Sequence, residues 1–198
     1  ELSSIDTGLL MAGILSAMSY FDQDNEVEKK IRETADALYR RVEWDWMMND
    51  STTMSMGWHP EKGFIPSQWK GYNEAMVLVI MAMGSPTHPI DTSSWRHWCA
   101  TYPWAAFQGE ENVQFDPLFG HQYSHTWIDF RGIQDAYMQA KGIDYFENSR
   151  RATISNRNYC VANPMGAKGY GPYCWGLTAC DGPGGGQRQV DGKPWEFF

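Results

Sequence analysis

A fourteen-residue stretch, residues 119–132, concentrates side chains that can carry out chemistry or bind a polar ligand. It combines two histidines, a carboxylate, an arginine and an amide with four aromatic rings; the polar members are His121, Gln122, His125, Asp129 and Arg131. Buried polar side chains need hydrogen-bond partners, so a segment this polar and aromatic is typical of a cleft wall. For any single residue the alternative, a buried turn with satisfied polar groups, stays open.

Four acids, Asp129 among them, could supply the chemistry beside this stretch. Asp6, Glu74 and Asp129 each fall at the predicted N-terminal end of an apolar helix, and Asp181 follows the Trp175 segment, where a fourth would begin. Parallel inner helices would gather these carboxylates at one mouth. For each acid alone, helix capping is a sufficient explanation. Together with aromatic platforms they fit glycoside hydrolysis, which needs one acid to protonate the leaving oxygen and one carboxylate to activate water or attack carbon.

Other chemistries are less well supported by the sequence. His121 and His125 lie four residues apart and could share a metal on a helix, but the glutamate of an HExxH motif is missing. Ser124 beside His125 lacks the context of a nucleophile elbow. The glycine run at residues 182–186 has no lysine-serine ending to cradle a phosphate. We therefore expect no metal and no cofactor.

The hydrophobic pattern predicts an all-α chain of three helical hairpins, each an apolar inner helix followed by an outer one. The predicted inner helices are residues 9–18, 73–83 and 129–141, and the outer ones are residues 25–42, 91–99 and 144–163. The first inner helix carries almost no charge, which predicts burial on nearly all sides. A short strand is predicted at residues 53–58, and the tail from residue 165 is predicted to form loops or the start of a further helical hairpin.

Composition bounds the class of protein. The chain has 198 residues and 22.7 kDa, long enough for one domain covering residues 1–198. It has no run of about 18 apolar residues that could span a membrane. The net charge of −8 argues against nucleic acid as a partner, and the 15% aromatic content suits stacking against sugar rings. The expected partner is therefore an oligosaccharide or polysaccharide.

The cysteines and the first residue give further expectations. Four cysteines without a CxxC pair are expected to be free, buried thiols, although Cys174 and Cys180 could approach each other across a turn. The chain starts at Glu1 with no signal sequence ahead of it, so we expect a processed form or a piece of a longer protein. A periplasmic or secreted location is expected.

Eight motifs resemble the bacterial glycoamylase-like family, whose related domains include endo-β-1,2-glucanases and a part of cyclic β-1,2-glucan synthases. They are SIDT (residues 4–7), SMGW (55–58), GYNEAM (71–76), GSPTHP (84–89), FGHQYSH (119–125), WIDFRG (127–132), DYFENSRRA (144–152) and WGLTACDGP (175–183). The resemblance implies an (α/α)6 toroid of inner and outer helices with a glycan cleft at one end. Such a toroid has about twice the helices predicted here, so the chain resembles its later, C-terminal part.

The resemblance implies a glycoside hydrolase acting on a β-linked glucan, with β-1,2-glucan favoured. Asp6 and Glu74 would be the first acid/base candidates and Asp129 the third. The implied sugar-binding residues are His121, Gln122, His125, Trp127, Arg131, Trp175 and Asp181. The alternative is a glycan-binding or scaffold protein that keeps the aromatic cleft without catalysis.

Two structural expectations follow from these predictions. On a helix start Arg131 would not face Asp129, so we expect Arg131 to reach Asp6, Glu74 or a substrate hydroxyl instead. The inner helices at residues 9–18 and 130–141 are each expected to expose an apolar flank, which would be covered by the missing part of the domain or by association.

Overall fold

A computed structural model describes residues 1–180, 185–190 and 192–197. Its helices are α1 (Ser4–Tyr20), α2 (Glu26–Arg40), α3 (Met76–Met83), α4 (Ser93–Cys99), α5 (Leu118–Gln122), α6 (Ala136–Lys141) and α7 (Tyr145–Ala162), with 3-10 turns at Trp46–Met48 and Tyr123–Thr126. The strands are β1 (Leu2–Ser3), β2 (Gly57–His59), β3 (Gly63–Phe64), β4 (Trp104–Phe107), β5 (Glu110–Val113), β6 (Gly186–Val190) and β7 (Lys193–Phe197). Within those three ranges, no helix has the length and apolar character needed to cross a membrane.

Side-chain caps fix where the long helices begin, as the sequence predicts. The amide of Asp6 donates to Ser3 Oγ at 3.2 Å, and that of Glu28 donates to Asn25 Oδ1 at 2.9 Å. The amide of Glu147 likewise donates to Asp144 Oδ1 at 2.6 Å. Each cap satisfies an N–H that has no partner within its own helix.

The helix α3 forms the centre of the core. Six of its eight residues are buried, and Leu78 has no exposed surface, so the predicted burial on nearly all sides is confirmed for this inner helix. The helix α1 packs beside it, with Gly8 against Leu78: a Cβ on Gly8 would lie 3.0 Å from Leu78 Cδ1. Further along both helices, Tyr20 and Met81 border one open groove. The two inner helices are therefore in direct contact along part of their length.

The helix α1 contradicts the prediction of burial on all sides. Only Ser4, Gly8, Met11 and Ala12 are buried, whereas Leu10 is 60% exposed. One side of α1 packs on α2 and α3, and the groove of about 600 Å³ beside it remains open. The apolar flank expected on this helix is therefore present.

The predicted helix starting at Asp129 is wrong. The structure places α5 and a 3-10 turn over residues 118–126, follows them with an irregular segment, and begins α6 at Ala136. Asp129 Oδ1 accepts from the amide of Arg131 at 3.1 Å, and Gly132 has a φ of +75°. This local turn competes with helix formation because the side chain of Asp129, rather than a helical carbonyl group, accepts the hydrogen bond from the Arg131 amide. Asp135, rather than Asp129, caps the helix, with Oδ1 accepting from Met138 N at 2.8 Å.

The structure also contains short antiparallel strands. The strands β1, β2 and β3 form one small sheet. The strand predicted at residues 53–58 lies slightly later in the chain than expected, at Gly57–His59. The pair β4 and β5 packs on α7. The strands β6 and β7 pair in the tail, where loops or the start of a further helical hairpin were predicted. Of the cysteines, Cys99 and Cys160 are buried as expected, but Cys174 and Cys180 are exposed.

Candidate active site

The turn before α3 carries Glu74 and is held from both sides. Asn73 Oδ1 accepts from the amide of Ala75 at 3.0 Å. From the segment after α5, Ser124 Oγ accepts from the amide of Val77 at 3.1 Å and lies 3.3 Å from the carbonyl oxygen of Glu74, to which it donates. These bonds satisfy backbone groups at the start of α3 and fix the position of the Glu74 backbone.

The carboxylate of Glu74 is partly buried and lacks a complete set of partners. Its Oε2 is buried and has no hydrogen-bond partner among the described residues. Buried carboxylate oxygens without a donor are uncommon in folded proteins, and each one needs an explanation such as catalysis or an absent ligand. Glu74 is therefore the acid of this chain whose environment points most directly to a site.

Asp6 lies in the first turn of α1 and is exposed. The start of this helix is anchored by Ser4, whose Oγ donates to the carbonyl of Ser55 at 2.7 Å and accepts from Trp69 Nε1 at 2.9 Å. Asp6 is two residues before Gly8 and Glu74 is four residues before Leu78. Because Gly8 contacts Leu78 and Trp69 reaches Ser4, the segments that carry the two acids are neighbours.

His121 is almost fully buried, at 3% exposure. Its Nε2 lies 3.0 Å from the carbonyl oxygen of Phe115, and its ring centroid lies 4.9 Å from that of Tyr72. Burial lowers the pKa of His121 to about 4, because the charged imidazolium is poorly solvated there. The imidazole is therefore neutral at pH 7, and its Nδ1 has no partner within the described ranges.

His125 is partly buried, with its ring centroid 4.8 Å from that of Phe130. Burial lowers the pKa of His125, and the nearby carboxylates of Asp129 and Asp144 partly oppose this effect. Its Nε2 is buried, again without a partner in the described part of the chain. The two histidines therefore contact different neighbours, and over residues 1–180, 185–190 and 192–197 no group of three or more potential metal ligands occurs.

The prediction that Arg131 does not pair with Asp129 is wrong. Its Nε donates to Asp129 Oδ1 at 2.8 Å, and both side chains are mostly exposed, at 70% and 61%. The pairing arises because residues 129–132 form a turn rather than a helix start. The hydrogen bond from Arg131 lowers the pKa of Asp129. Asp129 is therefore engaged by Arg131 at the surface, unlike Glu74.

The remaining predicted sugar-binding residues are dispersed. Gln122 is exposed and donates from Nε2 to Thr153 Oγ1 at 3.1 Å. Trp127 is partly buried beside Gly13 of α1, and its Nε1 is buried with no partner among the described residues. Trp175 is 42% exposed in the tail. Asp181 lies outside the described residues, so the structure does not place it.

Asp135 is a polar centre that the sequence analysis missed. Besides capping α6, its Oδ2 accepts from Trp95 Nε1 and from the hydroxyl of Tyr145, each at 2.7 Å. It thereby connects α4, α6 and α7. An acid three residues before the apolar Met138 is a capping signal that could have identified the true start of α6.

Comparison with known proteins identifies relatives of this chain. A family model described as "Putative glucoamylase" matches residues 66–193. An exo β-1,2-glucooligosaccharide sophorohydrolase of Parabacteroides distasonis is 30% identical over 206 residues, covering 89% of this chain and 28% of that protein.

Two solved structures extend the comparison to the fold. One, titled a putative glucoamylase from Bacteroides caccae, matches with a TM-score of 0.81 and 33% identity over 91% of this chain and 46% of its own. The other, an endo-β-1,2-glucanase from Chitinophaga pinensis in complex with sophorotriose and glucose, matches with a TM-score of 0.79 and 29% identity over 91% and 45%. The chain thus spans less than half the length of each relative.

These matches confirm the predicted architecture, in which the helical hairpins form part of an (α/α)6 toroid. The matching family model covers well over half of the chain and includes Glu74, the 119–132 stretch and α7. The chain therefore belongs to the glycoamylase-like family.

Proposed function

We propose that this chain belongs to a glycoside hydrolase that cleaves a β-linked glucan, with β-1,2-glucan as the favoured substrate. The printed activities of two relatives, a sophorohydrolase and an endo-β-1,2-glucanase, support this substrate class. The observation that carries the proposal is the buried Oε2 of Glu74, which has no partner among the described residues, in a segment that neighbours the first turn of α1 with the exposed Asp6.

In the proposed reaction, Glu74 donates a proton to the glycosidic oxygen as the bond from that oxygen to the anomeric carbon breaks. No described protein group occupies its Oε2, so none competes with substrate for that oxygen. Asp6 is open to solvent and acts on the anomeric carbon, directly or through a water molecule. The overall change is the addition of water across the bond, which creates one new reducing end.

The other residues of the predicted site would bind the sugar. His121 is neutral at pH 7 because burial lowers its pKa to about 4, so it can exchange hydrogen bonds with a neutral hydroxyl. Trp175 exposes part of its indole ring, which suits stacking on a sugar face. Asp129 is assigned a lesser role, because Arg131 already engages it.

The proposal is tested by reducing-sugar release from linear β-1,2-glucan. Glu74→Gln and Asp6→Asn should each lower turnover by about 10²- to 10⁴-fold, the usual contribution of a positioned acid or base. Asp36→Asn is a matched control, because Asp36 is an exposed carboxylate paired with Arg40 on α2. Affinity for the glucan without any turnover by the unmodified protein would instead identify a glycan-binding protein and refute hydrolysis.

A further inference from the structure

A second cavity is lined by neither of the proposed catalytic acids. It has a volume of about 410 Å³ and lies between the β4–β5 hairpin, the segment leading into α5, and the C-terminal half of α7. This size falls within the range of about 300–1,000 Å³ common for small-molecule sites. Asp6, Glu74 and Asp129 are not among its lining residues, and His121 is the one lining residue that it shares with the predicted sugar-binding set.

Aromatic rings supply the apolar part of the cavity wall. The rings of Phe107 and Tyr159 stack with their centroids 5.8 Å apart and their planes 29° apart. Phe107 is 41% exposed, so this pair reaches the surface at the cavity rim. Phe115 adds a third ring to the lining. Flat aromatic faces of this kind can pack against the apolar face of a sugar ring.

The polar lining is neutral or negative. Gln114 contributes an amide and Asp116 a carboxylate, and none of the described lysines or arginines lines the cavity. The one histidine, His121, is uncharged at pH 7 because burial lowers its pKa to about 4. Phosphates and other anions would find no cation here, whereas a neutral ligand rich in hydroxyl groups would find hydrogen-bond acceptors.

The walls of the cavity are fixed before any ligand arrives. The amide of Asn156 holds the tail in place: its Nδ2 donates to the carbonyl of Leu177 at 3.1 Å, and its Oδ1 accepts from the amide of Leu177 at 3.0 Å. On the opposite side, Asn148 Oδ1 accepts from the amide of Val113 at 2.8 Å and ties β5 to α7. A preformed site avoids the entropic cost of ordering its walls on binding.

Two buried side chains in the lining each leave one nitrogen without a partner in the described part of the chain. Asn112 is 2% exposed and His121 is 3% exposed. The Nδ2 of Asn112 and the Nδ1 of His121 have no hydrogen-bond partner among the described residues. Unsatisfied buried nitrogens are unfavourable, and a polar ligand that reached them would relieve that cost.

We propose that this cavity is a carbohydrate-binding subsite, separate from the acid pair, that takes a neutral mono- or disaccharide unit of the glucan. The aromatic pair packs on the sugar ring, and Gln114 and Asp116 receive its hydroxyl groups. The inference rests on the proposed function for the choice of glucose units, but the cavity can be tested without hydrolysis.

Binding is measured by calorimetric titration of glucose and sophorose into the Glu74→Gln variant, which keeps the cavity intact. Adding Tyr159→Ala should weaken sugar binding by about 2- to 10-fold, the value of one aromatic packing contact. Asp116→Asn is a second variant that preserves shape and should also weaken binding. Tyr20→Ala is the control, since Tyr20 is 79% exposed and does not line the cavity. A melting curve for each variant verifies folding.

The outcomes separate the two proposals. Folded Tyr159→Ala and Asp116→Asn variants with unchanged sugar affinity would overturn the subsite, whether or not the protein is a hydrolase. Cavity-dependent binding by a protein that releases no reducing sugar would support the subsite and defeat the hydrolase. In an active protein, Tyr159→Ala should raise KM and leave kcat unchanged, because the cavity does not touch the bond that breaks.

Discussion

The hydroxyl of Ser124 donates to the backbone carbonyl of Glu74 at 3.3 Å and also accepts from the amide of Val77 at 3.1 Å. One side chain from the 119–132 stretch therefore positions the proposed catalytic acid without touching its carboxylate. From the sequence alone, Ser124 was a candidate only as a nucleophile, and its context did not support that role. Its contacts make it a positioning residue.

Ser124→Ala should lower both stability and turnover. The amide of Val77 loses its partner at a buried position, which costs about 1–3 kcal/mol of unfolding free energy. Turnover should fall by about tenfold or more with little change in KM, because small displacements of a catalytic group are costly. Chemical denaturation and kinetics on β-1,2-glucan measure both effects.

Ser85→Ala is the control for Ser124→Ala. Ser85 is also buried, and its Oγ accepts from the amide of His88 at 3.2 Å beyond the other end of α3. It should lose comparable stability and keep its turnover. Equal losses of turnover in the two variants would show that Ser124 has only a structural role.

Two glycines of α1 should respond oppositely to alanine. Gly13→Ala should stabilise the protein by about 0.5–1 kcal/mol, because the nearest atom, in Trp127, would be 4.0 Å from the new Cβ. Gly8→Ala would place its Cβ 3.0 Å from Leu78 Cδ1, and Leu78 is fully buried. We expect that variant to lose about 1–3 kcal/mol through overpacking, and to lose turnover as the two helices separate. A Gly8→Ala protein with normal activity would disprove this packing.

Asp129→Asn should have a small effect compared with Glu74→Gln. Asp129 is exposed and paired with Arg131, and exposed pairs contribute little to stability. We expect an unchanged melting temperature at neutral pH and turnover within about tenfold of the unmodified protein. A loss of turnover as large as that of Glu74→Gln would instead identify Asp129 as a catalytic residue.

Stability should fall as the pH drops from about 6.5 to about 4, in part because of His121. Burial lowers the pKa of this histidine to about 4 in the folded state, whereas an unfolded histidine titrates near 6.5. Between these values the unfolded state binds more protons, so its contribution is complete above pH 6.5 and is lost on acidification. His121→Gln should flatten this limb of the stability curve.

The exposed apolar flank of α1 should make the 198-residue chain bind hydrophobic dyes or self-associate. Leu10 is 60% exposed, and Tyr20, which is 79% exposed, borders an open groove lined by Leu15 and Val77. Contiguous exposed apolar surface usually marks an interaction face. Leu10→Gln should reduce dye binding measured by fluorescence. A monomer with a sharp cooperative melt and no dye binding would refute this expectation.

The helices with strong local signals were predictable from sequence. Asn25 and Asp144 cap their helices as expected, and the uninterrupted apolar run of α3 is buried as expected. These features depend on neighbours within a few residues, so a linear pattern contains them. The outer-layer helix α4 was likewise placed correctly.

The errors arose where a local turn or a distant partner decides the structure. At residues 129–132 the side chain of Asp129 bonds to the Arg131 backbone, which replaces the expected helix start. The exposure of α1 depends on what packs beside it, which its own composition does not specify. The positioning role of Ser124 joins residues about fifty apart, and a sequence pattern contains no such information.

The contact between Gly8 and Leu78 also bears on stereochemistry. Carboxyl groups about 5–5.5 Å apart lead to retention at the anomeric carbon, and those about 6.5–9.5 Å apart leave space for a water molecule and lead to inversion. The two geometries differ by little more than the width of a methyl group. Gly8 provides no methyl group between α1, which carries Asp6, and α3, which follows Glu74. We therefore expect the configuration of the sugar product to be sensitive to the residue at position 8.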